Sequence, residues 1–206
     1  GLRASDLYPL YSHQAAAVDL ALSGENVVVV TGAASGKTLC YNIPVLQSIL
    51  TDRTSRALYI FPTKALAQDQ MRSITQTYCP ELIDGREVAT FDGDTPIAER
   101  GVIKKHARLV ITNPDMLHVG IMPNHQSWSG FFRRLKYVVV DEAHIYRGVF
   151  GSHVACVLRR LRRLCRLYGS EPQFILCTAT VANPGEHAEG LTGLPCDVVD
   201  NDGSPR

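Results

Sequence analysis

The run Val27-Val28-Val29-Val30 breaks at once into Thr31-Gly32-Ala33-Ala34-Ser35-Gly36-Lys37-Thr38, a strand followed by a small-residue turn and then a helical pattern. A strand that is apolar at every position has no polar face to give to water, so it must be covered on both sides. Comparable short runs recur at Asn26–Thr31, Ala57–Phe61, Glu87–Phe91, Leu109–Thr112, Tyr137–Asp141, Phe174–Thr178 and Asp197–Val199. Helical patterns fall between them, at His13–Leu22, Lys37–Leu50, Lys64–Thr77, Ile97–Lys105, Pro114–Val119 and Ser152–Tyr168; Gly120–Gly130 reads as an irregular connection. This alternation predicts an α/β fold, a mostly parallel sheet with helices on both faces. In such sheets ligands bind beyond the carboxyl ends of the strands.

The 206 residues suffice for one domain with a full core, expected over residues 1–199, with 200–206 as a linker or terminus. A net charge of +1 gives no overall attraction to nucleic acid, so any such binding must come from a local patch. No segment is apolar for long enough to span a bilayer, and the start lacks the apolar core of a signal peptide. The six cysteines show neither C-x-x-C pairs nor zinc spacing, which predicts reduced, structural thiols. The expected location is intracellular, the cytoplasm of a prokaryote or the nucleus of a eukaryote.

Two segments carry chemistry. In the first, Gly32, Ala33, Ala34, Ser35 and Gly36 let backbone N–H groups turn toward phosphate oxygens. Lys37 supplies a charge for the outer phosphates, and the Thr38 hydroxyl is a magnesium ligand in loops of this kind. The helix that opens there adds its positive end. Thr31 stands where the strict G-x-x-x-x-G-K-[ST] pattern has glycine. In the second segment, Asp141 and Glu142 end a hydrophobic strand. Adjacent carboxylates at such a place call for a cation or an ordered water. Asp141 is placed to hold the magnesium shell and Glu142 to deprotonate an attacking water. The cofactors expected are therefore ATP and Mg2+.

Asp141-Glu142-Ala143-His144 resembles the DEAH form of motif II in superfamily 2 helicases, and further segments follow in that family's order. Tyr11-Ser12-His13-Gln14 looks like the adenine-recognising segment, with Gln14 reading the base edge and Tyr11 or Tyr8 stacking. Phe61 to Gln70 resembles motif Ia, Asp92-Gly93-Asp94-Thr95 the glycine-containing motif after it, Ile111 to Leu117 motif Ib, and Thr178-Ala179-Thr180 motif III. Ala34, and Tyr146 to His153 after motif II, look most like the MrfA/Hrq-type DNA repair helicases related to RecQ. The resemblance implies the first of two RecA-like P-loop domains of an ATP-dependent helicase. Its partners would be nucleic acid, DNA favoured, and a second RecA-like domain that supplies an arginine motif. It also implies that His144 senses the γ-phosphate state, and that Thr178 and Thr180 couple hydrolysis to strand movement. Tyr146, Arg147 and Phe150 would contact single-stranded DNA or transmit its binding. An RNA remodeller, a double-strand translocase and a non-catalytic nucleotide-binding module remain open alternatives. Lacking the arginine motif, this stretch by itself is expected to be a weak or inactive ATPase.

Motifs Ia and Ib also make physical sense without the family. Pro62, Thr63 and Lys64, and likewise Thr112, Asn113 and Pro114, each end a strand and open a helix whose first N–H groups are free for phosphate oxygens. Gly93 and the Thr95 hydroxyl are further candidates. Contacts of this type fix position and do not read sequence. Helix capping by Thr63, Asn113 and Asp115 is the equally weighted structural alternative.

Overall fold

The computed structural model describes residues 9–32, 35–78, 87–201 and 203. Seven strands form one sheet in the order β3-β4-β2-β5-β6-β1-β7. They are β1 (Val27–Val30), β2 (Arg56–Ile60), β3 (Val88–Thr90), β4 (Leu109–Thr112), β5 (Leu135–Val140), β6 (Gln173–Thr178) and β7 (Asp197–Val199). Every pairing among them is parallel.

The apolar runs divide between the two faces with the strand period of two. Val28, Val30, Leu58, Ile60, Val138, Val140 and Leu176 join one buried cluster, while Val27, Val29, Ala57, Tyr59, Val139, Ile175 and Cys177 join the other. Both clusters are buried, which is why these strands read as continuous hydrophobic runs and not as alternating ones. The helices α1 (Ser12–Ser23), α2 (Lys37–Thr51) and α3 (Lys64–Ser73) pack against the second cluster. The helices α4 (Ile97–His106), α5 (Pro114–Met116), α6 (Ser129–Phe132), α7 (Gly148–Leu167) and α8 (Pro184–Thr192) pack against the first.

Several expectations need correction. Gly120–Gly130 is not irregular: a π turn at Leu117–Ile121 and 3₁₀ turns over Met122–Trp128 lead into α6. Its polar residues disguise an anchor, because Trp128 is fully buried and meets Phe91 edge-on at a centroid distance of 4.9 Å. The α7 helix begins at Gly148, earlier than Ser152, so much of the glycine-containing stretch after motif II is helix and not loop. A Cβ on Gly151 would lie 2.4 Å from the Tyr146 carbonyl oxygen, so the helix start needs glycine there to close. The α8 helix was not expected, although Asn183-Pro184 repeats the strand-to-helix signal of Asn113-Pro114. Among the described cysteines none is bonded to another; Cys165 and Cys177 are buried, but Cys156 is exposed. No helix of the described residues is long and apolar enough to cross a membrane.

Candidate nucleotide and nucleic-acid site

Among the described residues, every sequence-derived candidate but two lies at the carboxyl edge of the sheet; Tyr11 and Gln14 open α1 and reach that edge from the side. Because β6 lies between β1 and β5, the loop after β1 and the acids after β5 flank the end of β6. Val30 pairs with Thr178, and Val140 with Leu176, across this stretch. Beyond β5 come the ends of β2, β4 and β3, which carry Pro62, Asn113 and the turn Asp92 to Thr95. One half of the edge thus gathers the loop and the acids, and the other gathers the helix starts.

In the loop, Gly36 has φ +76°, and a Cβ there would stand 2.5 Å from Gln14 Nε2. Gln14 is buried; its Nε2 donates to Gly36 O at 3.1 Å and its Oε1 accepts from the Tyr11 amide at 2.9 Å. One N–H and one lone pair of that amide remain for a base edge. Tyr11 is 38% exposed and its ring is available to a flat ligand. Thr31 is buried, with its hydroxyl 2.5 Å from Ser35 Oγ, which gives the departure from glycine a structural task in holding the loop together. Lys37 Nζ donates to Thr31 O at 2.9 Å and Gly32 O at 2.7 Å. Neutral carbonyls are weaker partners for an ammonium than phosphate oxygens, so the lysine is ready to exchange them. Tyr8, Ala33 and Ala34 lie outside the described residues.

Asp141 follows β5 and is partly buried. Its Oδ1 accepts from the Glu142 amide at 2.8 Å and its Oδ2 from the Tyr41 hydroxyl at 3.0 Å. Burial pushes its carboxyl above the ordinary range; these two hydrogen bonds oppose the shift, the Glu142 charge adds to it and Lys37 opposes it. Thr38 lies one turn before Tyr41 on α2, the helix whose Tyr41 hydroxyl holds Asp141. Hydroxyl and carboxylate oxygens suit a small hard cation. Among the described residues no three His, Cys, Asp or Glu side chains gather.

Glu142 is the one non-glycine residue among those described with positive φ, at 50°. Such a backbone costs about 1–3 kcal/mol and is retained where surrounding structure demands it. The Glu142 Oε2 lies 3.2 Å from His144 Nδ1. The Ala179 amide approaches the same nitrogen at 3.3 Å. Thr178 is buried with its hydroxyl on the Ala179 carbonyl at 3.0 Å, whereas Thr180 is exposed.

The strand-contact candidates divide. Thr63 Oγ1 accepts from the Leu66 amide at 3.3 Å and Asn113 Oδ1 from the Met116 amide at 2.8 Å. Both therefore cap helices, yet capping uses only their acceptors and leaves the Thr63 O–H and the Asn113 NH₂ as donors. Lys64 is exposed and pairs with Asp94 at 2.5 Å, beside the exposed Gly93. An exposed ion pair is worth little and yields readily to a phosphate. Pro62 is partly buried, Pro114 is buried as the first residue of α5, and Arg147 is exposed. Three expectations fail. Thr112 is buried and donates to Phe91 O at 2.7 Å, which leaves no proton for a phosphate. Thr95 is buried and its hydroxyl is spent on Asp92 N at 2.9 Å and Thr90 O at 3.3 Å. Tyr146 is 1% exposed, so its ring belongs to the core and not to a strand-contacting loop, although Phe150 beside it is 44% exposed.

Sequence reasoning missed three supports. Tyr41, one helical turn beyond Thr38, holds Asp141; helix spacing from Lys37 was the available signal. His13 Nε2 donates to Ser35 O at 3.0 Å and so steadies the loop beside Gln14. His187 Nε2 donates to Ala143 O at 2.8 Å, which ties α8 to the acidic segment, and no sequence pattern marks it.

The profile of the DEAD/DEAH box helicase family matches residues 11–187. Over 196 residues the chain is 56% identical to the uncharacterized ATP-dependent helicase YprA of Bacillus subtilis, covering 95% of this chain and 26% of that protein. It is 48% identical over 200 residues to the ATP-dependent helicase HRQ1 of Saccharomyces cerevisiae, covering 95% of this chain and 18% of that one. The crystal structure of the DUF1998 helicase MrfA bound to DNA and AMPPNP superposes with a TM-score of 0.92 at 56% identity, over 95% of this chain and 27% of that chain. A structure of Mycobacterium smegmatis helicase Lhr bound to ssDNA and AMP-PNP follows at 0.75 and 27% identity, covering 91% of this chain and 25% of that one. The chain therefore spans about a quarter of the length of YprA. The parallel sheet is the RecA-like fold expected from the sequence.

Proposed function

The chain belongs to the DEAD/DEAH box helicase family, and from that premise we propose that it is the first RecA-like domain of an ATP-dependent DNA helicase that takes Mg2+ with its nucleotide. The observation that carries this reading is the convergence of Lys37, Thr38, Asp141 and Glu142 around the end of β6. Gln14 and Tyr11 would receive the adenine, and Lys37 would leave its carbonyls for the outer phosphates. Thr38 and Asp141 would hold the magnesium shell, which supplies charge neutralisation at the transferring phosphate. Glu142 would accept the proton of the attacking water, and His144 beside it would pass the change to Ala179 and so to Thr178 and Thr180.

On the other half of the edge, Pro62, Thr63, Lys64, Gly93 and Asn113 would grip backbone phosphates without reading bases, and Arg147, at the start of α7, would add to that grip. DNA is favoured because the relatives of high identity include a helicase solved with DNA, and the resemblance to the MrfA/Hrq type points to DNA repair. A second RecA-like domain is the proposed partner that completes the nucleotide site.

The test is ATP hydrolysis and strand separation by the intact protein on single-stranded DNA, duplex DNA and RNA of matched sequence. Hydrolysis stimulated by single-stranded DNA, with unwinding of a tailed DNA duplex, is the expected result. Stimulation by RNA alone identifies a remodeller, and stimulation by blunt duplex without unwinding identifies a translocase. Absence of ATP hydrolysis under all conditions contradicts the proposal.

A further inference from the structure

A buried polar chain crosses from the nucleotide half of the edge to the strand half. Tyr41 on α2 is fully buried, and its ring meets Tyr59 edge-on at a centroid distance of 5.3 Å. Its hydroxyl lies 3.0 Å from Asp141 Oδ2 and 3.4 Å from Gln70 Oε1. Gln70 belongs to α3, the helix that opens at Thr63 and Lys64. The chain continues inward: Gln70 Nε2 donates to Asn42 Oδ1 at 3.2 Å, and the Tyr59 hydroxyl donates to the same oxygen at 2.8 Å. Tyr41, Asn42, Tyr59 and Gln70 are all buried. A phenylalanine would fill the place of Tyr41 with the same packing and no polar group to satisfy. Burying a hydroxyl has a cost unless its bonds are made, so the bonds themselves deserve an account.

The single phenolic proton decides what this cluster can do. Carboxylate and carboxamide oxygens only accept, so Tyr41 donates to one of Asp141 and Gln70 at a time. We propose that Tyr41 is a positioning residue for Asp141 at the magnesium site, and that its proton has two stations, Asp141 and Gln70, through which the state of the nucleotide half reaches α3. The inference rests on the nucleotide reading above. With Asp141 free, the charged and nearer acceptor holds the proton. Were a metal to engage the Asp141 oxygens, Gln70 would be the remaining acceptor, and closing a 3.4 Å contact to a normal hydrogen bond would draw α3 toward α2. The start of α3 carries Thr63 and Lys64, so a phosphate gripped there biases the same two-position element from the other side. Such coupling is reciprocal.

The experiment uses the intact protein as wild type, Tyr41→Phe and Gln70→Met, each verified as folded by circular dichroism at the assay temperature. A fluorescent ATP analogue is titrated with increasing Mg2+ and in EDTA, and a single-stranded DNA oligonucleotide is titrated with and without the Mg2+-loaded analogue. Tyr41→Phe is expected to raise the Mg2+ concentration for half-maximal nucleotide binding about tenfold, the usual scale for loss of a group that orients a metal ligand, and to leave binding in EDTA unchanged. Gln70→Met is expected to keep the wild-type Mg2+ requirement but to abolish the effect of nucleotide on DNA affinity. A purely structural role lowers the melting temperature and moves neither readout; variants equal to wild type in both readouts overturn the inference. Wild-type protein whose DNA affinity ignores nucleotide overturns the relay to α3. A wild type that binds nucleotide without regard to Mg2+ removes the nucleotide reading, and this inference with it.

Discussion

Glu142 Oε2 and His144 Nδ1 lie 3.2 Å apart, and the same histidine nitrogen faces the Ala179 amide at 3.3 Å. One nitrogen cannot donate to the carboxylate and accept from the amide at the same time. The proton on His144 therefore selects which neighbour it holds, the residue proposed to take a proton from water or the segment after β6.

Replacement of His144 by alanine should separate hydrolysis from strand handling. Coupling between sites in proteins typically amounts to about 5- to 150-fold, so nucleic-acid stimulation of hydrolysis should fall by about tenfold or more. The KM for ATP should stay near the wild-type value, because His144 contacts neither the loop nor Asp141. Steady-state kinetics with and without single-stranded DNA checks this. An unchanged stimulation ratio contradicts the link through Ala179.

Gly36→Ala tests the contact between Gln14 and the loop. The new methyl group would meet Gln14 Nε2, and φ +76° is itself unfavourable for alanine. Gly24 supplies the control, since it has φ +99° but nothing within 4 Å of a Cβ. Both substitutions should lower stability by about 1 kcal/mol from backbone strain. Only Gly36→Ala should also weaken ATP binding, measured by titration calorimetry; equal nucleotide affinity in the two variants contradicts the placement of Gln14.

Burial fixes an order of thiol reactivity. Cys40 and Cys165 are pushed up to about 12 by burial, and Cys177 is raised by burial and by the Asp141 charge. A thiol with that pKa is about one part in ten thousand thiolate at pH 8, and the thiolate is the reactive form. Cys156 is exposed and should be alkylated first among the described cysteines. Peptide mapping after brief iodoacetamide treatment at pH 8 reads the order. Raising the pH should accelerate Cys40 and Cys165 only as the solution approaches their pKa, and early labelling of either contradicts their burial.

What the sequence revealed and what it concealed have the same physical origin. Runs such as Val27–Val30 show their burial directly, and the sheet and the position of both catalytic segments follow from them. Lys37, Thr38, Asp141 and Glu142 were legible because phosphate and metal chemistry needs those atoms next to each other in the chain. Thr95 and Thr112 misled because a hydroxyl at a strand end looks available until its partner carbonyl, on Thr90 or Phe91, is seen. Trp128 was hidden by the polar residues before it. Tyr41 and His187 act on Asp141 and Ala143 across long stretches of chain, and no local pattern encodes such pairings.

The central claim is that Glu142 does proton chemistry in a site whose other residues hold the nucleotide. Its most direct test is phosphate release by the intact Glu142→Gln protein, measured with ATP, Mg2+ and single-stranded DNA beside equilibrium binding of the ATP analogue. A general base contributes about 10²- to 10⁴-fold, so hydrolysis should fall by at least the lower figure while nucleotide affinity stays near wild type. Hydrolysis at the wild-type rate, or loss of nucleotide binding together with hydrolysis, would contradict the account.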